Sequence, residues 1–239
     1  MNEIIDLDTM TGFWPQRQVD ISTGRLLQMM DQHGVRRACV VSARGALFDH
    51  FEGNDETLAW CREQPRFIPV GTIDLRRFQG YREEIQRLTE AGVRLWRLFP
   101  EYQGWTPDQA VLRRVLDALE AVGAVLFLGG QPSAVARAVE GTTVTTILGL
   151  HFYQASDFLA LLETGTNLYV STRLLHGPGA VKVLVEAMGH QRLIFGSGAP
   201  LSSMGSGLRC LEVAALSDEQ RAAIMGGNLQ RLLADGGRT

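Results

Sequence analysis

The order of the hydrophobic segments limits this chain more than any other feature. Short apolar runs alternate with longer stretches of helical period, and the alternation repeats eight times. The runs EIIDLDTM, RRACVVSA, FIPVGTID, VRLWRLFP, AVLFLGG, VTTILGLH, NLYVSTR and RLIFGSGA read as strands, the first near residues 3–9 and the last near 192–198. Segments such as STGRLLQMMDQHG and TPDQAVLRRVLDALEAVG, and the closing SDEQRAAIMGGNLQRLLAD, read as helices. Several open on Ser or Thr and several end on Gly, as capping favours. Eight βα units with no linker predict one α/β domain over residues 1–239, a single (β/α)8 TIM barrel with short βα loops. A doubly wound open sheet is the alternative, but the first βα turn has no Gly-rich phosphate fingerprint. GSGAP and SMGSG follow the last strand instead, and Ser202–Gly207 reads as a flexible connector, with a phosphate cradle as the other reading.

Charge and composition remove several function classes. A net charge of −3 and a pI near 6.0 give no electrostatic footprint for nucleic acid or an anionic membrane. No apolar run approaches the roughly 18–20 residues of a membrane span. The opening MNEIIDLDTM carries acids where a secretory signal carries basic residues. Cys39, Cys61 and Cys210 form neither CxxC nor a disulfide ladder, which points to a reducing, cytoplasmic setting. Of the 23 basic residues only Lys182 is a lysine, and it lies in the amphipathic segment AVKVLVEAMG. Schiff-base chemistry, a P-loop lysine and a carboxylated-lysine metal bridge all need a lysine in the site, so they are disfavoured.

A barrel keeps its chemistry at the C-terminal ends of its strands. The two-residue period of the first strand places Asp6, Asp8 and Met10 on one face. Later strand ends bring Arg97 and Glu101, Gln131, His151, Arg173 and Ser197, with His176 in the loop after strand seven. Asp8 and His151 are the candidate catalytic pair. Asp6, Arg97, Arg173, His176 and Ser197 are candidate substrate-binding residues, the arginines because a guanidinium presents a two-pronged fork to a carboxylate. Each has a structural alternative: Asp6 as a backbone cap, Arg97 as a partner of Asp74 or Glu101, and His151 as a hydrogen-bonded core histidine. There is no GxSxG, HExxH or HxH, and neither Cys39 nor Cys61 begins a helix, so a thiol nucleophile is disfavoured.

The chain resembles the amidohydrolase-related (amidohydrolase 2) family of metal-dependent hydrolases. IIDLDTMTG looks like its opening strand, EAGVRLWRLFPEYQGW its fourth unit, TNLYVSTR its seventh strand and RLIFGSGAP its Gly-Ser-Asp-x-Pro eighth strand. IMGGNLQRLL looks like its closing helix. The resemblance implies a divalent metal held by two strand-one histidines, histidines on strands five and six, and a strand-eight aspartate. Those positions fall here on Asp8, Met10, Leu128 or Gly129, His151 and Gly198. Such a set is short of the three good ligands a catalytic metal needs, so no cofactor is expected. The alternative is one divalent metal such as zinc on Asp6, Asp8 and His151.

Two functions follow as expectations. One is a metal-independent hydrolase or lyase acting on a small carboxylate-bearing substrate. The other is a catalytically inactive pseudoenzyme serving as a partner subunit or small-ligand-binding protein. Short loops leave the mouth uncovered. A homo-oligomer or a hetero-partner would then cover it, through the Phe13–Trp14 turn or the Tyr102–Trp105 loop.

Overall fold

A computed structural model describes residues 3–16, 18–163, 167–177 and 179–235. The strands are β1 (Ile5–Thr11), β2 (Arg37–Ser42), β3 (Phe67–Gly71), β4 (Leu95–Leu98), β5 (Val125–Gly129), β6 (Thr145–Gly149), β7 (Leu168–Ser171) and β8 (Leu193–Ile194). The helices of the first half are α1 (Thr23–His33), α2 (Ala43–Leu47), α3 (His50–Glu63), α4 (Tyr81–Glu90), α5 (Pro100–Gln103) and α6 (Ala110–Ala121). Those of the second half are α7 (Pro132–Val139), α8 (Ala155–Leu162), α9 (Ala180–Met188), α10 (Met204–Glu212), α11 (Asp218–Ala222) and α12 (Asn228–Ala234). None of the described helices is long and apolar enough to cross a membrane.

All eight strands pair in parallel and in chain order. The ring closes between its ends: Leu7 N donates to Phe195 O (2.9 Å), Gly198 N to Asp8 O (2.8 Å) and Met10 N to Ala199 O (3.1 Å). The molecule is therefore a single (β/α)8 TIM barrel, and the open-sheet alternative is ruled out. The last strand is shorter than the 192–198 expected. Regular pairing stops at Ile194, and residues 195–199 run beside β1 as irregular backbone, with Gly198 at φ +75°.

Two apolar layers fix which face of each strand is which. Ile5, Leu7, Met10, Val41, Leu95 and Phe127 belong to the inner core, while Val40, Trp96, Leu126 and Leu128 pack with the helices. Inner positions 5, 7 and 10 break a strict two-residue period, because the β1–β2 register shifts between Asp6 and Thr9. The expectation that Asp6, Asp8 and Met10 share one face is corrected by that irregularity. Leu128 is likewise turned to the helices, leaving Gly129 as the strand-five residue at the mouth.

The Gly/Ser stretch after β8 is not the flexible connector expected. It forms the start of α10, capped by the Ser203 hydroxyl, which accepts from Ser206 N at 3.3 Å. Gly207 lets that helix approach Phe195, where an added Cβ would sit 3.4 Å from the ring. After β2, α2 and α3 cross through two glycines. A Cβ on Gly53 would lie 2.2 Å from the backbone nitrogen of Gly45. We expect Gly53→Ala to cost about 3 kcal/mol or more, the upper range for overpacking, read as a lowered urea midpoint. An unchanged midpoint would show that the crossing relaxes freely.

Candidate functional site

At the C-terminal mouth, three strands contribute one charge cluster. Asp8 of β1 is 1% exposed. Its Oδ1 accepts from Arg97 Nη1 of β4, and its Oδ2 accepts from Arg173 Nη1, just after β7, at 3.0 Å. The Arg97 guanidinium lies between the rings of Phe99 (4.6 Å) and Phe127 (4.8 Å), a cation–π arrangement that offsets part of its desolvation. The Asp8 charge, then the Tyr102 hydroxyl, pushes the Arg173 guanidinium above its ordinary value against the opposing effect of burial. Two guanidiniums against one carboxylate leave this cluster one positive charge.

Asp6 does a different job. Its Oδ1 accepts from Asp8 N (3.0 Å) and Ser197 N (2.9 Å), and its Oδ2 accepts from the Ser197 hydroxyl. Asp6 thus ties the first strand to the last segment of the barrel. Burial pushes its carboxyl up to about 7, against the lowering effect of these donors.

A cavity of about 520 Å³ opens above the Asp8 cluster. Arg97, Arg173, His151, Glu101, Tyr102, Phe127, Gln131 and Gln154 line it. His151 starts the turn after β6. Its backbone nitrogen donates to Gln154 Oε1 (3.0 Å), and its half-buried ring stacks on Tyr153 at 5.0 Å. Gln154 in turn donates to Gln131 Oε1 at 2.8 Å. Tyr102 stacks on Phe99 and stands edge-on to Trp14.

The structure therefore brings Asp8, Arg97, Arg173 and His151 to one mouth. Ser197 and Asp6 lie beneath it, buried on each other. His176 lies outside the cavity lining, exposed, with its Nδ1 3.8 Å from Cys210 Sγ. Arg97 pairs with Asp8 rather than with Asp74 or Glu101; Asp74 is taken by Arg76. Trp14 and Trp105 are buried, so of the expected apolar turn only Phe13, 74% exposed, is offered to a neighbour. Two of the thiols are inert by environment: burial pushes Cys39 up strongly and Cys61 up to about 12. Tyr102 and Gln154 escaped sequence reasoning. They sit in or beside single-turn helices that no periodicity marks.

The amidohydrolase family model matches residues 12–234, and the chain belongs to that family. No curated protein matches it. Among solved structures, 5-carboxyvanillate decarboxylase from Sphingomonas paucimobilis is 16% identical, with 98% of this chain and 99% of that one covered and a TM-score of 0.76. A probable 2-pyrone-4,6-dicarboxylic acid hydrolase from Acinetobacter baumannii, with citric acid bound, is 14% identical over 98% and 100%, TM-score 0.74. Dihydroxybenzoic acid decarboxylase from Polaromonas sp. JS666, with bound manganese and 2-nitroresorcinol, is 16% identical over 98% of each chain, TM-score 0.76. At these identities the likeness is one of fold.

The mouth presents no ready set of metal ligands among the described residues. Two positions where the resemblance places ligands are glycines, Gly198 and Gly129, which carry no donor side chain and lie against Arg173 Nε and Glu101 Oε2. Both Asp8 oxygens accept from guanidiniums. A dication on Asp8 would have to displace those guanidiniums or sit against their charges. Among the described residues no three His, Cys, Asp or Glu side chains group as a metal set.

The Asp6 value fixes a pH signature. Its folded carboxyl titrates at about 7, above an ordinary value near 3.8. Between those values the folded state binds more protons, so this group's stability contribution is present below about pH 4, falls as pH rises to about 7, and is flat beyond. Denaturation midpoints of the wild type should therefore drop across that window relative to Asp6→Asn, by an amount of order a few kcal/mol. Parallel pH curves for the two proteins would refute it.

Proposed function

We propose that the mouth binds a small carboxylate-bearing molecule on Arg97 and Arg173 and acts on it as a hydrolase or lyase without a metal. The observation that carries this reading is the convergence of guanidinium donors from Arg97 and Arg173 at the cavity floor. A carboxylate there gains charge-assisted, two-pronged hydrogen bonds of the kind arginine is shaped to give. The aromatic walls, Phe127 and Tyr102, suit a flat substrate body. The carboxylic acids named among the solved relatives agree with this substrate class.

Within this reading Asp8 is a positioning residue. Protonating it would sacrifice an ion pair, so its work is to hold two cations in register. His151 is the acid–base group, placed on the cavity wall with its ring orientation set by Tyr153. Glu101, also on the wall and exposed, is the second group able to move a proton. As a hydrolase, His151 takes the proton of the water that attacks the reacting carbon and returns it to the leaving group; as a lyase, it delivers the proton that replaces a carboxyl group leaving as carbon dioxide.

A second reading, a barrel that binds such a molecule without transforming it, is favoured by the engagement of both Asp8 oxygens. Turnover separates the two. Calorimetry with benzoate-type acids should show that Arg97→Ala weakens binding by more than about 1.5 kcal/mol, the lower end for a charged hydrogen bond. His151→Asn should keep that affinity and lose turnover. Equal affinity for wild type and Arg97→Ala would remove the clamp. Binding without turnover, unaltered by His151→Asn, would leave the binding-protein reading.

A further inference from the structure

Beyond the barrel rim lies a second space, a groove of about 760 Å³ on the outside of the barrel, between α6 and α7. Glu101, Gly130 and Gln131 line both spaces, so the two share a rim. The mouth alone already has the size of a pocket for a small ligand, about 300–1,000 Å³. The groove is additional room that a compact carboxylic acid leaves unused.

Helix geometry gives the groove a direction. α7 begins beside the mouth, at the end of β5, and descends the barrel wall. Arg137 is six residues past Gln131, so it lies about 9 Å further along the helix at 1.5 Å per residue. Between them the lining is mostly apolar, with Pro107, Ala110 and Ala134. Two arginines mark the lower end. Arg113 is satisfied by Asp117 Oδ1 (2.9 Å) and the Glu140 carbonyl (3.0 Å). Arg137 also lines the groove, and its guanidinium has no hydrogen bond or ion pair among the described residues. The acids of the groove lie toward the rim: Glu101 at the junction, and Asp108, which accepts from the Thr106 hydroxyl.

We propose that mouth and groove form one bipartite site for an elongated ligand. It carries a carboxylate head, an apolar middle and a second anionic group at its tail. The head rests on Arg97 and Arg173, as in the function proposed above, the middle lies along the alanine and proline wall, and the tail pairs with Arg137. This assigns Arg137 as a specificity-determining residue for ligand length and tail charge.

Calorimetry with unbranched monocarboxylates and α,ω-dicarboxylates of matched length, at six and fourteen carbons, tests it. In the wild type tetradecanedioate should bind about two- to fivefold tighter than tetradecanoate, the effect of one partly exposed ion pair. Hexanedioate should show no such gain over hexanoate, because its tail falls short of Arg137. Arg137→Ala should erase the long-chain gain while leaving hexanoate affinity unchanged. A dicarboxylate gain that is absent at fourteen carbons, or that survives Arg137→Ala, overturns the bipartite site. Hexanoate binding that survives both Arg97→Ala and Arg173→Ala overturns the head clamp instead, and the Arg137 comparison still reads the groove independently.

Discussion

One carboxylate held between two guanidiniums governs the mouth of this barrel. Asp8 comes from the first strand, Arg97 from the fourth and Arg173 from the end of the seventh, so a single ion cluster ties together elements far apart in the chain. All three groups are largely removed from water, where unpaired charges are expensive, and each makes the others tolerable. The Phe99 and Phe127 faces share the work for Arg97, but nothing replaces Asp8. The barrel therefore holds both guanidiniums at a rigid place, one on a strand and one in the tight turn directly after a strand.

The fold was legible because it rests on periodicity, which a sequence displays directly. Eight apolar runs at regular spacing leave few topologies, and the parallel ring follows from them. Departures arise where local backbone overrides that pattern. The register shift between Asp6 and Thr9 sends two acids, two residues apart, to unrelated partners, and no feature of IIDLDTM announces it. The helix α10 opens on Met-Gly-Ser-Gly, poor helix formers, because glycine is what permits its close seat on the barrel.

The site was legible in part for the same reason. Asp8, Arg97, Arg173 and His151 stand at strand ends, where the barrel itself predicts chemistry, and they converge there. Ser197, expected at a strand end, and His176, in the loop after β7, do not join them: one turns down onto Asp6 and the other toward Cys210. Proximity to a strand end fixes a neighbourhood; the side chain's direction depends on the next two or three backbone angles. Tyr102 and Gln154 show the converse, entering the wall through short turns whose positions depend on packing rather than on any repeat.

The glycine at 198 has a consequence for how such a mouth can change over generations. Arg173 lies across the volume a side chain there would need, and the backbone at 198 is left-handed (φ +75°), so a side chain at 198 displaces the arginine and strains the turn. Losing the arginine first leaves Asp8 with one partner and the cavity without half its positive charge. Either single step passes through a worse protein, and only the two together reach a different chemistry. The pair thus acts as a ratchet: a lineage that has moved the arginine into that space is held there by sterics and charge, whatever its substrate becomes.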